Sequence, residues 1–509
     1  MADSNNKVSA VGVAEQNSAG AASGVVKTVA EKVGKYRWKI CGLLFFATTL
    51  NYMDRQVLSL VKPTLMCPAD TALAAAVPAC VENGRVLTGI AMTEVQFGFI
   101  VGVFTAAYAI GLLLSGGFID KVGTKIGYAV ALLVWSLAAA LHALVIYPQA
   151  VGWLGEGGRM LAGALSHVLW LGTTSAVATL GALPAAVAGF CVARFLLGIA
   201  EAANFPAAVK TVAEWFPRKE RAYATGIFNS GSNVGATLAP LLVPWLALTM
   251  GWQWSFLIIG LVGLPWLIFW QVMYRAPEKH PAVSPAELAY INSDSTQVES
   301  TEAVPWKRLV PKPQSWAIFF GKLMTDPVWW FYLYWFPGFL HTQFGLPLGK
   351  LGWPIVVVYW LSAVGSIYGG WLPGKFINMG WSVNKARKIA MLIYAVAVVP
   401  VAFVGYLSHS LWTVVILIGV AAAAHQAWSA NMFTLASDMF PKRAVASVVG
   451  IGTFGSAFVF CFFSVLIGYV LKWTGGNYTA LFVGCGAAYL LALVVIQALA
   501  PKLKPADVD

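Results

Sequence analysis

Charge is scarce in this sequence. Asp, Glu, Lys and Arg make up 11% of its 509 residues, whereas a soluble domain carries about 25%. Such a chain cannot clothe a water-facing globule, so the composition excludes an ordinary soluble enzyme. The sequence also has no glycine-rich phosphate loop and no nucleophile elbow. It has no clustered Cys/His spacing either. Those absences argue against ATP drive and give no reason to expect an enzyme, a metal site or a bound cofactor. The 21 acidic residues are outnumbered by 33 basic ones, for a net charge of +12. The excess is scattered between apolar runs instead of gathered into a stripe, so no nucleic-acid partner is implied. No cleavable signal peptide is recognisable, and residues 1–34 are small and polar, as a disordered tail would be.

Long apolar runs fill the remaining sequence, and 59% of the residues are hydrophobic. A bilayer crossing needs roughly 20 mostly apolar residues. Such segments fall near 38–60, 95–116, 127–146, 183–210, 222–244, 253–274, 315–341, 351–372, 388–407, 411–438, 445–470 and 478–500. The pattern predicts an all-α polytopic membrane protein with twelve transmembrane helices. Lys62, Arg85, Arg159, Lys350 and Lys472 fall on one side of the implied membrane, and Arg55, Arg194, Lys210 and Lys322 lie in or near spans. Every other Lys and Arg falls on the opposite side, which the positive-inside rule makes cytoplasmic. Both termini are therefore expected in the cytoplasm, with the lipid bilayer and its anionic headgroups as surroundings.

One polar, proline-rich stretch, 275–314, divides the chain into halves of six helices, 35–274 and 315–500, with a short cytoplasmic tail at 501–509. Within the stretch, Ser284-Pro285-Ala286-Glu287 reads as the start of a short helix. An internal repeat supports the division. Phe216-Pro217-Arg218-Lys219 recurs as Phe440-Pro441-Lys442-Arg443, and the same offset matches Gly226-Ile227 to Gly450-Ile451 and Gly231-Ser232 to Gly455-Ser456. Two insertions, 61–94 and 147–182, fall on the outer side, and 159–172 reads as a helix on the membrane surface. Cys67 and Cys80 share the first insertion, where an oxidising compartment would permit a disulfide between them.

Ionisable groups at membrane depth are costly and so are functional candidates. The first span holds Tyr52, Asp54 and Arg55. The guanidinium of Arg55 suits a carboxylate, and desolvation favours the protonated form of a carboxyl such as that of Asp54. In the fourth span Arg194 and Glu201 are two turns apart on one face, with Gly198 between them as a close-packing point. Either a coupling device or a structural ion pair would have this spacing. Ser232 and Asn233 form part of a polar cluster in the fifth span, suited to sugar hydroxyls or to neighbouring helices. The seventh span carries Trp329 and Tyr332 among aromatics that suit sugar stacking or an interfacial belt. The tenth places His425, Trp428 and Ser429 on one face.

Several of these residues carry a resemblance. Gly116-Gly117-Phe118-Ile119-Asp120-Lys121-Val122-Gly123-Thr124-Lys125 resembles the loop motif between the second and third helices of the major facilitator superfamily, with Asp120, Lys121, Gly123 and Lys125 as its gating positions. Together with Glu214-Trp215-Phe216-Pro217, Phe228-Asn229 and Ala424-His425-Gln426-Ala427, it is similar to the anion:cation symporter branch, and in particular to bacterial hexuronate and sugar-acid transporters. The resemblance implies the major facilitator fold and proton-driven import of a small organic anion by a monomer in a bacterial inner membrane. Asp54 and Glu201 would carry protons, Arg194 would pair with those carboxylates, and Tyr52 and Arg55 would hold the substrate. Ser232 falls where some relatives carry a longer glutamine, and Trp428 is a contact by helix position. Other carboxylates (aldonates or aldarates), sodium coupling, or a sugar-acid sensor that does not transport remain as alternatives. The second-half loop, Gly369 to Lys375, lacks the acidic residue of the first.

Overall fold

The structure is a computed structural model that describes residues 34–82, 84–145, 156, 160, 184–293, 304–407 and 410–507. The proposed surface helix at 159–172, nearly all of the second insertion and nearly all of the N-terminal tail lie outside these residues.

Among the described residues twelve long helices form the body. In the first six, α1 spans Tyr36–Leu65, α2 Glu94–Val122, α3 Thr124–Leu141, α4 Ala185–Trp215, α5 Arg218–Met250 and α6 Trp252–Met273. In the second six, α7 spans Pro313–Phe344, α8 Gly352–Asn378, α9 Val383–Val398, α10 Leu411–Met439, α11 Lys442–Trp473 and α12 Thr479–Leu499. Among the described residues ten of these helices are long and apolar enough to cross a membrane. The other two are α1 and α7, which are 30 and 32 residues long and hold the buried pairs described below. Their length would span a bilayer, but their polar groups dilute the apolar run. Bare apolar side chains such as Val272, Trp360, Ile367 and Val494 project outward from α6, α8 and α12, as a lipid-facing surface requires.

Packing follows the repeat. Within the halves α1 lies on α5 as α7 lies on α11, and α2 lies on α4 as α8 lies on α10. Between the halves α2 packs on α11, α5 on α8, and α1 on α7. Each of these pairings maps onto another, or onto itself, when the halves are exchanged.

The start of α1, the end of α12 and the described parts of the 275–314 connection lie at one face, termed here the terminal face; the described part of the first insertion lies at the far face. At the far face the halves touch closely. A side chain at Gly98 of α2 would meet the Ser464 carbonyl of α11 at 2.3 Å, and one at Gly352 of α8 would meet the Pro240 carbonyl of α5 at 2.7 Å. Toward the terminal face Gly117, Gly226, Gly370 and Gly450 have nothing within 4 Å of such a position. The contacts at Gly98 and Gly352 therefore join the halves at the far face.

Local chemistry fixes the junctions. Gly123 links α2 to α3 with φ of 87°, a conformation that glycine adopts without a Cβ penalty. Ser284 caps the short helix Pro285–Ile291 through the Glu287 amide at 3.2 Å. That helix is docked on the first half. Arg37 at the start of α1 pairs with Glu220 of α5 at 2.9 Å and with Glu287 at 3.2 Å, and Tyr290 donates to Glu220.

Candidate functional site

Half-way along α1, Asn51, Asp54, Arg55 and Gln56 are all buried. Buried polar groups cost free energy unless bonded, so their partners matter. The Nε of Arg55 donates to Oε2 of Glu201 at 2.7 Å, and both side chains are sealed. The guanidinium also lies over the rings of Tyr108 at 4.5 Å, Tyr52 at 5.2 Å and Phe104 at 5.8 Å, an aromatic cage that offsets part of its desolvation. Its Nη2 has no hydrogen-bond partner.

Glu201 is placed by a break in α4. Pro206 has no N–H to give the Ala202 carbonyl, and the helix is interrupted between Glu201 and Asn204. Asn204 then reaches Tyr128 of α3 at 2.5 Å. One face of α4 is pressed on α2, where a side chain at Gly198 would strike the Phe104 carbonyl at 2.5 Å. Arg194 and Glu201 therefore border the same stretch of α2. The sequence left Arg194 as the partner of Glu201 or Asp54; in the structure Arg55 takes the hydrogen-bonded place beside Glu201. Seven residues on a helix is a rise of about 10 Å, which favours a partner from a facing helix.

Arg194 is 1% exposed, and none of its three guanidinium nitrogens has a hydrogen-bond partner. It stacks over Phe104 at 5.5 Å. Asp54 is 3% exposed, neither of its oxygens is bonded, and its charged neighbours are Glu201 and Arg194. The cluster thus holds two cations and two carboxyl groups, with one pair closed and the other two members unbonded.

The second half faces this cluster with rings. Trp329 of α7 stacks on His425 of α10 at 5.3 Å, with planes 8° apart, and meets Tyr359 of α8 edge-on at 5.9 Å. His425 is tied through Nδ1 to the Tyr489 hydroxyl at 2.6 Å. Trp428 is fully buried against the edge of Tyr489, and Tyr332 is turned toward Cys485 of α12. Both side chains are thus packed against α12 within the second half. Ser429 is half-buried.

Gly231 and Gly235 let α5 cross α1 in backbone contact, at Phe45 and Thr49, with Tyr52 against Gly235, and Ser232 and Asn233 lie on this crossing stretch of α5. The Ser232 hydroxyl donates to its own helix at Asn229 O, 2.7 Å away. Lys121 is exposed and Lys125 half-exposed at the α2–α3 junction, whereas the Asp120 side chain lies outside the described set. Nearby, Thr124 donates to Glu214 at 2.6 Å and Tyr274 also donates to Glu214. At the repeat-related position Asp438 pairs with Arg387 at 3.0 Å. Cys67 and Cys80 form a disulfide.

Sequence reasoning missed several members. Tyr108, Phe104 and Tyr334 surround the two arginines, and aromatic residues on an apolar helix give no signal of their own. Lys322 and Asp326 of α7 form a buried pair at 2.9 Å, with Ser456 of α11 donating to Asp326 at 3.0 Å. Their i,i+4 spacing is the signal that could have found them.

The major facilitator superfamily model matches residues 44–464. The hexuronate transporter of Escherichia coli is 27% identical over 469 residues, covering 91% of this chain and 94% of its own. A probable galactarate/D-glucarate transporter of Bacillus subtilis, GudP, is 27% identical over 500 residues, covering 95% and 97%. Among solved structures, the xylose transporter XylE from E. coli in a partially occluded inward open conformation superposes with a TM-score of 0.63 at 15% identity, covering 92% of this chain and 98% of that one.

Proposed function

Because this chain belongs to the major facilitator superfamily, we propose that it is a proton-coupled symporter that imports a hexuronate such as galacturonate or glucuronate by alternating access. The observation that carries this reading is the buried cluster of Arg55, Glu201, Asp54 and Arg194. With both carboxyls ionised the cluster is neutral. Protonating one leaves a net positive charge in a low-dielectric site, which draws in one carboxylate. Proton and anion then load together, and loss of the proton inside weakens the hold on the anion. In this scheme the proton sits on Asp54 or Glu201, and Arg194 and the open edge of Arg55 receive the substrate carboxylate. Tyr52, Ser232, Asn233 and Ser429 contact its hydroxyls, and the Trp329–His425 stack flanks the sugar. The residues of the α2–α3 turn, Asp120, Lys121, Gly123 and Lys125, serve as the inner gate. The chain works as a monomer in a bacterial inner membrane with its terminal face in the cytoplasm, as the placement of its basic residues supports. It uses no cofactor besides the coupling proton, with sodium as the alternative coupling ion.

A second reading, an aldarate with a carboxylate at each end, is favoured by Lys322, a buried cation in the second half. Uptake of labelled galacturonate into vesicles under an inward proton gradient tests the first reading, with glucarate and galactonate as competitors. The expected result is gradient-stimulated accumulation that Asp54→Asn or Glu201→Gln reduces. Accumulation indifferent to the gradient defeats proton coupling; strong displacement by glucarate alone moves the substrate to the second reading.

A further inference from the structure

The first insertion is a folded unit with a specific address. Asp70 caps the short helix Thr71–Ala75, the Cys67–Cys80 disulfide closes the segment, and a two-stranded hairpin follows, with Glu82 opposite Arg85. Its return limb is pinned to the end of α1, where the Ile90 and Met92 amides donate to the Leu65 carbonyl at 3.1 and 3.0 Å. The insertion therefore moves with the first half.

Its tip, however, is bonded to the second half. Glu82 is 7% exposed. One carboxylate oxygen accepts from the Leu348 amide at 2.8 Å and the other from the Gly349 amide at 2.9 Å, both in the connection from α7 to α8. Arg85, on the facing strand, donates to the Leu248 carbonyl near the end of α5. The hairpin thus bridges the two places where α5 and α8 meet at the far face. Beside it Lys62, at the end of α1, is paired with Glu94 at 2.7 Å and packed under Gly338 of α7.

We propose that Glu82 is a gate residue of the transport cycle, and that the disulfide-held hairpin is a clasp that keeps the far mouth shut while the terminal face is open. A transporter whose halves rock about a central site must part them at the far face to load or release substrate there. Glu82 then leaves the two amides, and a charge-assisted bond of this kind exists in one state only. The disulfide and the hairpin hold Glu82 at the height of the amides, so the clasp closes without ordering a loose loop on each cycle. This rests on the alternating-access reading, and neither on the identity of the substrate nor on the coupling ion.

The test measures the width of the far mouth directly. Met250 and Trp473, at the far ends of α5 and α11, are 46% and 72% exposed. The variant Met250→Cys/Trp473→Cys is spin-labelled without reductant, so the disulfide stays closed; Cys41, Cys191, Cys461 and Cys485 are buried. Distances are read by pulsed electron resonance in lipid nanodiscs without substrate. The parent shows a dominant short distance. Adding Glu82→Ala, which removes both charge-assisted hydrogen bonds, raises the ratio of long to short distances by about tenfold or more. Glu82→Gln, which keeps the shape and loses the charge, moves the ratio the same way by less. Cys67→Ser/Cys80→Ser also moves it that way. A distribution unchanged in Glu82→Ala, with monodisperse protein and an intact disulfide, overturns the proposal. Vesicle uptake failing in the parent protein would bear on the substrate reading and leave this measurement as it stands.

Discussion

The two halves share an architecture and divide the chemistry. In the first, the groups at membrane depth are ionic: Arg55, Glu201, Asp54 and Arg194 come from α1 and α4, and two of the four are unbonded. In the second, the repeat-related α7 and α10 bring Trp329 and His425, stacked face to face, and the ion pair Lys322–Asp326 is closed and bonded again by Ser456. Duplication supplied the same helices twice, so the difference lies in side chains. One half is built to respond to charge and the other to offer flat surfaces and a fixed dipole. A molecule that is a sugar at one end and an anion at the other matches such a division.

The largest test of this asymmetry is Arg55→Ala. It leaves Glu201 buried without its partner, which costs about 3–5 kcal/mol, seen as a lower thermal unfolding midpoint in detergent, and uptake is lost. Arg55→Gln combined with Glu201→Gln removes both charges. It should recover most of the stability without recovering uptake, and a transporting double variant would break the assignment of charge chemistry to the first half. Next in size is Lys322→Met. Its partner Asp326 is more exposed than Glu201, so the expected loss is about 1–2 kcal/mol, with KM for a monocarboxylate rising by less than tenfold. A much larger rise for glucarate than for galacturonate would sharpen the comparison by giving the second half an anion of its own. The smallest effect belongs to Ser232→Ala. Its hydroxyl already donates to Asn229, so stability should change by no more than about 0.5 kcal/mol, while loss of its contact with a substrate hydroxyl should raise KM about fivefold.

Hydropathy made the long helices readable, because lipid imposes length and composition on every crossing. The polar residues of α1 were readable for the opposite reason, as departures from that composition. Partner choice was not. Arg55 and Glu201 are 146 residues apart, and only the break at Pro206 and the contact at Gly198 decide which carboxylate faces which guanidinium. The aromatic cage was invisible because Phe104 and Tyr108 look like ordinary lipid-facing residues until α4 is packed against them. Trp428 and Tyr332 lie against Tyr489 and Cys485 of α12, neighbours that spacing along one helix does not reveal. Glu82 gave no sign at all, since its partners are backbone amides, which every residue but proline provides.

The docking of helix Pro285–Ile291 has a consequence for how the protein can be taken apart. Arg37, Glu220 and Glu287 weld that helix to the first six helices, so the covalent seam between the halves falls after it and not at the end of α6. A version made as two polypeptides, divided after Ser293, would carry the short helix with its ionic partners. A division at Arg275 would strand Glu287 and leave Arg37 with Glu220 alone. The modular boundary of this duplicated protein is thus set by a handful of charges at the membrane surface, some way beyond the last residue of the sixth crossing.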